Sequence, residues 1–356
     1  MDRRTFLKTT TAAAAASTAA VGATQAATGD ESSIAAPPVI LHRDELQITA
    51  TPELADAART LSRDIAMAAD GRIVIEVDDE ANVGDASGPR AADGAFGVLS
   101  ELCASPDLAL FSGLPGTLAL SPELLLAWHD AGGGALHLEH AVEAYGLTAM
   151  IAGHSGAATG LWADRSLADL RTIAQASLTT TGFGEAIARR IRDAYGERPE
   201  SPASTSISLV EVARTPMEAY LLLPSEARQI WYRDSLHTQG FAMALVLSRA
   251  AWDRLSEGDQ LLIATLARAT AHADVSRVRI SDRLVAPAVL ARMPLRVEAL
   301  PNEVSLAIQH AAVDVVHDAM ARSERLRPAF EAYAAFYEGM MGVALPGSRQ
   351  SPKAVV

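Results

Sequence analysis

The order of hydrophobic and polar positions along this chain changes repeatedly from the spacing of a helix to that of a strand. Between residues 54 and 68, apolar side chains recur every three or four positions with charged residues between them, which predicts an amphipathic helix. Asp70 and Gly71 end this helix, and the β-branched run 72–77 predicts a strand directly after it. A helix and a strand joined by so short a connection are typical of α/β folds.

The same alternation continues toward the C-terminus. We predict strands at 107–111, 147–152, near Ile173 and at 242–247, and helices at 122–145, 166–170 and 184–194. From residue 252 to residue 341, nearly all of the chain has the apolar spacing of long helices. This order predicts mixed sheets covered by helices on both faces, and two such lobes joined by crossing strands would form a cleft.

Three adjacent glycines, at 132–134, interrupt the helix predicted at 122–145. Such a run costs about 3 kcal/mol of helix propensity relative to alanine, so it needs a structural reason. His129, His137 and His140 lie around it, which leaves three interpretations: a metal site, a phosphate loop or a helix with a joint. Because a metal site needs three or four convergent ligands, we assign no metal here and expect solvated histidines on the helix surface.

Composition narrows the class of protein. The 356 residues, 49% of them hydrophobic and 21% charged, are enough for two lobes with buried cores. The net charge of -13 argues against a nucleic-acid partner, because no basic stripe is available to neutralise phosphates. The single cysteine, Cys103, lies in an apolar stretch and is expected to be a buried hydrophobe.

The N-terminus has the pattern of an export signal. Arg3 and Arg4 are followed by Phe6 and Leu7, then by a run rich in alanine and threonine that ends in small residues. The paired arginines resemble a twin-arginine signal, which directs a folded protein to the periplasm; the alternative is a general secretion signal. We therefore predict a signal peptide at 1–27, a disordered leader at 28–38 and a disordered tail at 342–356.

Segments distributed over most of the chain carry a resemblance to a known family. They read DGRIVIEV at 70–77, SPDLALF at 105–111, LP at 114–115, AW at 127–128, GGG at 132–134, YGL at 145–147, AGHSG at 152–156, SLADL at 166–170, HTQG at 237–240, LRVEALP at 295–301 and YAAF at 333–336. In this order and spacing, from about residue 52 to 341, the chain resembles the solute-binding subunits of tripartite ATP-independent periplasmic (TRAP) transporters. The glycines at 132–134 then match a helix of the first lobe, where small residues allow close packing or a kink.

The resemblance implies a type II-like clamshell of two α/β lobes with long C-terminal helices. We expect lobe 1 to comprise 39–150 and 242–290, lobe 2 to comprise 151–241, and the helices of 291–341 to pack across the lobes or to form a homodimer. The family captures small organic solutes, usually carboxylates, and delivers them to membrane permease subunits. The subgroup similar to this chain favours 2-oxo acids. The resemblance implies a binding protein without a cofactor and not an enzyme.

The chain departs from the family at the expected ligand positions. An arginine that clamps the ligand carboxylate is expected in the strand after residues 166–170, but Ala176 or a close neighbour stands there. The aromatic-rich segment that lines the cleft reads VLSELCA at 98–104, and the strand end that carries Glu-Trp reads MEAYLLL at 217–223. Without the arginine, an ordinary 2-oxo acid should bind weakly, so we predict an unusual solute or none.

Several residues near the family's ligand positions are candidate solute contacts. His154 and Ser155 stand in a hinge turn and are expected either to face the cleft or to form a purely structural turn. Thr181 precedes a helix, where its hydroxyl and the free amides either hold an anion or cap the helix. The further candidates, each of which could equally be core packing, are Trp162, Tyr220, Trp231, His237 and Gln239.

Two other functions remain as alternatives to a solute-binding protein. A divergent paralogue without a ligand could act as a receptor or scaffold in the envelope, which the missing arginine and aromatic residues favour. A hydrolase is the second alternative, but Ala157 stands where the Gly-x-Ser-x-Gly elbow requires glycine. No nucleophile and base at a recognisable spacing support it.

Overall fold

A computed structural model describes residues 43–51, 54–79, 92–103, 105–156, 160–196, 207–211, 216–233, 235–237, 239–280 and 291–346. The chain divides into residues 1–41 and 42–356, and all of the described residues belong to the second unit. The predicted signal peptide, with Arg3, Arg4, Phe6 and Leu7, and the leader at 28–38 lie outside the described residues. Of the predicted tail, residues 342–346 are described, and Leu345 is buried in the core.

The described part of the chain contains ten strands and twelve α-helices. The strands are β1 (Asp44–Ala50), β2 (Ile73–Asp78), β3 (Gly94–Gly97), β4 (Leu147–His154), β5 (Leu161–Ala163), β6 (Ser177–Thr179), β7 (Ser208–Val210), β8 (Ile230–Tyr232), β9 (Ala242–Ser248) and β10 (Arg296–Glu298). The helices are α1 (Ala55–Ala68), α2 (Leu99–Leu102), α3 (Ala109–Ser112), α4 (Pro122–Ala131), α5 (Gly134–Glu143), α6 (Leu170–Ala174), α7 (Gly184–Tyr195), α8 (Pro216–Leu222), α9 (Arg249–Arg254), α10 (Glu257–Ile280), α11 (Asn302–Arg322) and α12 (Arg327–Met341).

The strands form two mixed sheets. The first has the order β2-β1-β3-β9-β4, in which β1 pairs parallel with β2 and β3, and β9 pairs antiparallel with β3 and β4. The second has the order β10-β8-β5-β7-β6, with parallel pairs at both edges and antiparallel pairs on either side of β5. This arrangement confirms the predicted α/β class with mixed sheets.

Strand β9 shows why the first sheet needs helices on both faces. Its first six residues, 242–247, are all apolar, as expected for a central strand with two covered faces. Ala244 and Val246 pack into one core cluster, whereas Leu245 and Leu247 pack into another. Because successive side chains point to opposite faces of a sheet, these two clusters lie on the two sides of the strand.

The long helix α10 connects the two core clusters. Ile263 and Ala267 belong to the cluster that contains β1 and α1, whereas Ala271 and Val275 belong to the other. Four-residue spacing places all four on one side of the helix, so this single face is buried along its length. Farther along, α11 packs against α7, and α12 packs against α5.

The glycine joint predicted near residue 132 is present, and it divides the predicted helix into α4 and α5. Gly133 has φ of +89°, a conformation that side chains of other residues rarely adopt. A Cβ at Gly132 would lie 2.7 Å from Phe336, and one at Gly134 would lie 2.9 Å from Trp128. Close packing against the buried Trp128 therefore explains the flanking glycines, and backbone conformation explains Gly133.

Three predictions of local structure were wrong. Residues 107–111 form helical turns instead of a strand, because Pro106 begins a 3-10 turn that leads into α3. Residues around Ile173, for which we predict a strand, form helix α6 instead. The helix predicted at 166–170 is not formed there, because α6 begins only at Leu170. Asp169 caps α6 by accepting a hydrogen bond from the Thr172 amide at 2.8 Å, so the helix begins later than the apolar pattern indicated. The strand follows α6, as β6.

The expectation that the histidines of this region are solvated was wrong for His129. Its ring is buried against Trp128, and Nε2 donates a hydrogen bond to the Phe111 carbonyl at 2.9 Å. Burial lowers the pKa of His129 to about 4, so the ring is neutral near neutral pH. His137 is half-buried and His140 is exposed.

Candidate functional site

Two of the chain's crossings between the sheets are joined by hydrogen bonds. Strand β4 leads out of the first sheet toward β5, and β8 leads back toward β9. The Ser155 amide donates to the Phe241 carbonyl at 2.9 Å, and the Phe241 amide donates to Ser155 Oγ at 2.8 Å. Gly240 lies against Gly156 so closely that a Cβ would be 1.6 Å from its carbonyl oxygen. These contacts make the two crossings one connected element.

Two predicted contact residues, His154 and Ser155, are part of this crossing. Ser155 is buried, and its hydroxyl also lies 3.4 Å from the Gly156 carbonyl oxygen. His154 Nδ1 accepts a hydrogen bond from the Gly156 amide at 2.9 Å. Burial lowers the pKa of His154 to about 3, with a further contribution from His129, so this ring is neutral. Both side chains stabilise the turn, and a solute-binding role for them remains a prediction.

A buried pair of ionisable side chains lies at the end of β7. Glu211 follows the strand directly, and Oε1 accepts a hydrogen bond from the His237 amide at 2.9 Å. Its Oε2 accepts from His237 Nδ1 at 2.9 Å and from Thr180 Oγ1 at 2.7 Å. The side chains of His237 and Glu211 are 1% and 0% exposed, so water does not screen the pair.

The pKa of Glu211 is lowered, so this carboxylate is ionised. Burial acts to raise the pKa, but the attraction of His237 and the hydrogen bonds from His237 and Thr180 outweigh it. An acceptor with three donors is well compensated in a buried environment. His237 Nδ1 must therefore carry a proton, and its ring is held in one orientation.

Two side-chain atoms next to this pair have no hydrogen-bond partner among the described residues. They are His237 Nε2 and Thr181 Oγ1, and both side chains are more than nine-tenths buried. His237 Nε2 lies beside the backbone of Gly182, where an added Cβ would be 3.2 Å away. Helix α7 begins just after this glycine, and its N-cap residue, Phe183, provides no side-chain cap. Two unpartnered polar groups and a helix N-terminus thus lie in adjacent positions.

The aromatic candidates form a separate stack in the second sheet. Trp162 and Trp231 lie opposite each other in the β5–β8 pair, with ring centroids 5.9 Å apart. Tyr220 packs beside Trp162 at 6.1 Å, and the Arg228 guanidinium lies 4.4 Å from the centre of the Tyr220 ring. Val210 and Ala219 belong to the same cluster. This packing gives the three aromatic residues a structural role, and solute contact remains a prediction for them.

The loop that carries His237 also borders a surface pocket. Its volume is about 260 Å³, and its lining residues are Gly116, Thr117, Ser235, Leu300, Ser305, Ile308 and Gln309. The hydroxyl of Ser235 is buried and has no partner among the described residues. The Gly116 amide donates to the Leu236 carbonyl at 3.0 Å, which fixes this loop against the segment that precedes α4. Gln239, the remaining candidate, is half-buried in the same loop.

The expected Glu-Trp strand end was assigned to the wrong segment. Residues 217–223 do not end a strand, because α8 spans Pro216–Leu222. The strand end with a glutamate is instead that of β7, followed by Glu211. Glu211 was missed because the strand before it, β7, has only three residues. The signal that could have found it is the short apolar run 207–210 before a single acidic residue.

The expected arginine clamp is absent from the corresponding strand. Strand β6 consists of Ser177, Leu178 and Thr179, and the preceding Ala176 is buried. In the part of the chain that the structure describes, no three His, Cys, Asp or Glu side chains are grouped so that they could hold a metal ion. The described helices also include none long and apolar enough to cross a membrane.

Sequence comparisons identify no relatives. No family model matches the chain, and no curated protein is similar to it in sequence.

Comparison with solved structures gives a clear result for the fold. A TRAP transporter solute-binding protein from Bordetella bronchiseptica RB50, with calcium and picolinate bound, matches with a TM-score of 0.72 at 16% identity, covering 84% of this chain and 93% of that chain. The chain has the TRAP solute-binding protein fold. A second protein with this fold, from Pseudoalteromonas atlantica T6c with bound sodium and pyruvate, gives a TM-score of 0.71 at 14% identity over 84% of this chain and 95% of that one.

A third protein with the TRAP solute-binding fold has a different solute. It comes from Desulfovibrio desulfuricans and holds sn-glycerol-3-phosphate, with a TM-score of 0.63 at 12% identity, covering 83% of this chain and 97% of that chain. The predicted fold class is therefore confirmed. Because the identities are so low, the likeness concerns the fold, and the solute has to be inferred from this chain's own residues.

Proposed function

We propose that this protein is the periplasmic solute-binding component of a TRAP-type transporter, which captures a small organic carboxylate and delivers it to membrane permease subunits. The fold supports this proposal, because the compared proteins with the same fold are solute-binding proteins with small molecules bound. Two of those molecules, pyruvate and picolinate, are carboxylates. In this proposal the protein binds its solute without chemical conversion.

The observation that carries the proposal is a pair of polar atoms beside the crossings between the sheets, His237 Nε2 and Thr181 Oγ1, which have no hydrogen-bond partner within the described ranges. Leaving a buried polar group without a partner costs about 1–3 kcal/mol, so a solute that supplies partners gains that free energy on binding. Ligand sites in two-lobed proteins commonly lie between the lobes, where closure excludes water. Glu211 and His237 would then form the polar base of such a site.

Further parts of the proposal concern the whole chain. We propose export through the twin-arginine pathway, with Arg3 and Arg4 as its recognition residues. We also propose the division into lobe 1 (39–150 and 242–290), lobe 2 (151–241) and C-terminal helices (291–341) that pack across the lobes or pair two copies into a homodimer. Replacement of both arginines by lysine should abolish export, and light scattering of the purified protein measures its mass in solution.

A thermal-shift screen of the purified mature protein tests the proposed function. A solute that binds only the folded state raises the melting temperature by mass action. We expect a rise with one or more small carboxylates and no rise with sugars of similar size. If no organic acid, amino acid or sugar raises the melting temperature, the solute-binding function is wrong and the scaffold alternative gains support.

A further inference from the structure

We propose that the surface pocket beside the 235–237 loop is a binding site for a small uncharged carboxamide. Its volume is about 260 Å³, close to the lower end of the range for ligand pockets, about 300–1,000 Å³. The pocket is separate from the buried Glu211–His237 pair, neither residue of which lines it. The proposal goes beyond the carboxylate transport function and does not depend on it.

Three segments of the chain form this pocket. They are the 3-10 turn Gly116–Leu118, the 235–237 loop and the first turns of α11. The first amide of the turn donates to the Leu236 carbonyl at 3.0 Å, which holds the turn to the loop. The Tyr337 hydroxyl of α12 donates to the Thr117 carbonyl at 3.0 Å, which holds the turn to the C-terminal helices. A site formed in advance in this way loses less free energy of ordering when a ligand binds.

The side chain of Ser235 is the observation that points to a ligand. Ser235 lines the pocket and is 5% exposed, and its hydroxyl has no hydrogen-bond partner among the described residues. A buried hydroxyl without a partner costs free energy, which a bound molecule returns by supplying a donor or an acceptor. Thr117 and Ser305 add two further hydroxyls to the lining, and Gln309 adds a side-chain amide.

The charge of the lining sets the first limit on the ligand. Among the described residues, the seven that line the pocket include no ionisable side chain. A carboxylate bound there would lie in a partly desolvated site without a cation to compensate its charge. The carbonyl oxygen of Gln309 would also present an acceptor to it, where the carboxylate needs donors. The pocket therefore favours an uncharged molecule.

The combination of polar and apolar walls favours a carboxamide over a sugar. Gln309 offers an N–H donor and a carbonyl acceptor side by side, which match the carbonyl and the N–H of a primary carboxamide. Leu300 and Ile308, both buried members of the main core cluster, provide apolar surface for a hydrocarbon group. A sugar has hydroxyls around its whole ring, so some of them would lie against these two side chains without partners.

The decisive experiment is calorimetry of the purified mature protein with matched pairs of amide and acid. The pairs are benzamide with benzoate and isobutyramide with isobutyrate, in which the two members have nearly the same shape and differ in charge. We expect at least one of the two amides to bind at millimolar or lower concentration. The corresponding acid should compete for this site at least about tenfold more weakly, because its charge is not compensated.

Two variants test the placement of the ligand. Ser235→Ala removes one hydrogen-bonding group and should weaken amide binding about fivefold, whereas Gln309→Leu removes a donor and an acceptor and should weaken it at least about tenfold. Ser276→Ala on α10 and Gln47→Leu on β1, both at exposed positions, are the matched controls. Without ligand, Ser235→Ala should melt at the wild-type temperature or above it, because the lost hydroxyl has no partner within the described ranges.

The proposal is overturned if neither amide binds at millimolar concentration, if both variants bind the amides as the wild type does, or if each acid binds this site as tightly as its amide. A lower melting temperature of Ser235→Ala without ligand would contradict it as well, because the hydroxyl would then have a structural role. A carboxylate whose affinity is the same in the wild type and in both variants binds at another site. That result would support the transport function whatever the outcome for the amides, so failure of one proposal is distinguishable from failure of the other.

Discussion

His237 Nδ1 lies 2.9 Å from Glu211 Oε2, and the two side chains are almost completely buried. The two residues come from different segments: Glu211 follows β7 in the second sheet, and His237 precedes the crossing back to the first sheet. Removal of one partner of such a buried pair leaves the other partner buried without compensation. The resulting loss of stability is larger than the net stabilisation that the intact pair provides. Several expected outcomes depend on this relationship.

Glu211→Gln should lower the free energy of unfolding by about 1–3 kcal/mol, because a neutral amide is a weaker acceptor for His237 and Thr180. Urea denaturation followed by circular dichroism measures the change. Glu139→Gln, at an exposed position of α5, is the control and should stay within about 0.5 kcal/mol of the wild type. Equal stabilities of the two variants would show that the pair contributes no net stability.

The pH dependence of stability should come largely from two buried histidines. The folded-state pKa values of His129 and His154 are lowered from 6.5 to about 4 and about 3. Between these values and 6.5, the unfolded chain binds more protons than the folded chain, so stability is fully present above 6.5 and falls as the pH falls. Each pKa unit corresponds to about 1.4 kcal/mol, so the loss should be several kcal/mol.

His129→Gln provides the test of this explanation. Glutamine can still donate a hydrogen bond to the Phe111 carbonyl, but it does not titrate. Denaturation at a series of pH values between about 7 and 4 should therefore give a shallower slope for the variant than for the wild type. His140→Gln should leave the slope as it is, since His140 is exposed. An unchanged slope in His129→Gln would assign the acid sensitivity to other groups.

The hydrogen bonds of the crossing should be visible in Ser155→Ala. This change leaves the buried Phe241 amide without its acceptor at 2.8 Å, which should cost about 1–3 kcal/mol. Ser276→Ala, on the exposed side of α10, removes a hydroxyl that donates to the His272 carbonyl of its own helix and should cost less than about 0.5 kcal/mol. If Ser155→Ala is as stable as Ser276→Ala, the link between the two crossings contributes little.

The glycine joint allows a comparison within one residue type. Gly132→Ala should destabilise the protein, because the new Cβ would lie 2.7 Å from Phe336 and 2.8 Å from Trp128. Gly339→Ala, in the interior of α12 with no atom within 4 Å of the new Cβ, should stabilise it by about 0.5–1 kcal/mol. Melting temperatures that move in opposite directions would confirm the packing explanation, whereas a rise in both would contradict it.

The sequence predicted the scaffold better than the site. The apolar periods of 54–68 and 242–247 identified α1 and β9, because each element buries one continuous or regularly spaced set of side chains. The helical turns at 107–111 were missed because a short apolar run fits a strand and a buried helix equally well. In such runs a single cap or proline decides the structure, as Pro106 does here.

The candidate site depended on contacts that sequence spacing does not show. His237 was selected, but its partner Glu211 lies 26 positions away and follows a strand of only three residues. Ser155 and His154 were selected as solute contacts, yet the hydrogen bonds of the crossing occupy Ser155 Oγ and His154 Nδ1. The sequence leaves two roles possible for Thr181, an anion site or a helix cap. In the structure the N-cap residue of α7 is Phe183, which provides no side-chain cap. Long-range pairing decides these roles.

The most direct test of solute binding is a calorimetric titration of the mature protein with the small carboxylate that gives the largest thermal shift. We predict saturable binding with one solute per chain, and weaker binding for His237→Gln than for the wild type, because the variant lacks the ring nitrogen that is unpartnered among the described residues. Absence of saturable heat for every carboxylate, amino acid and sugar that is titrated would contradict a solute-binding function for this protein.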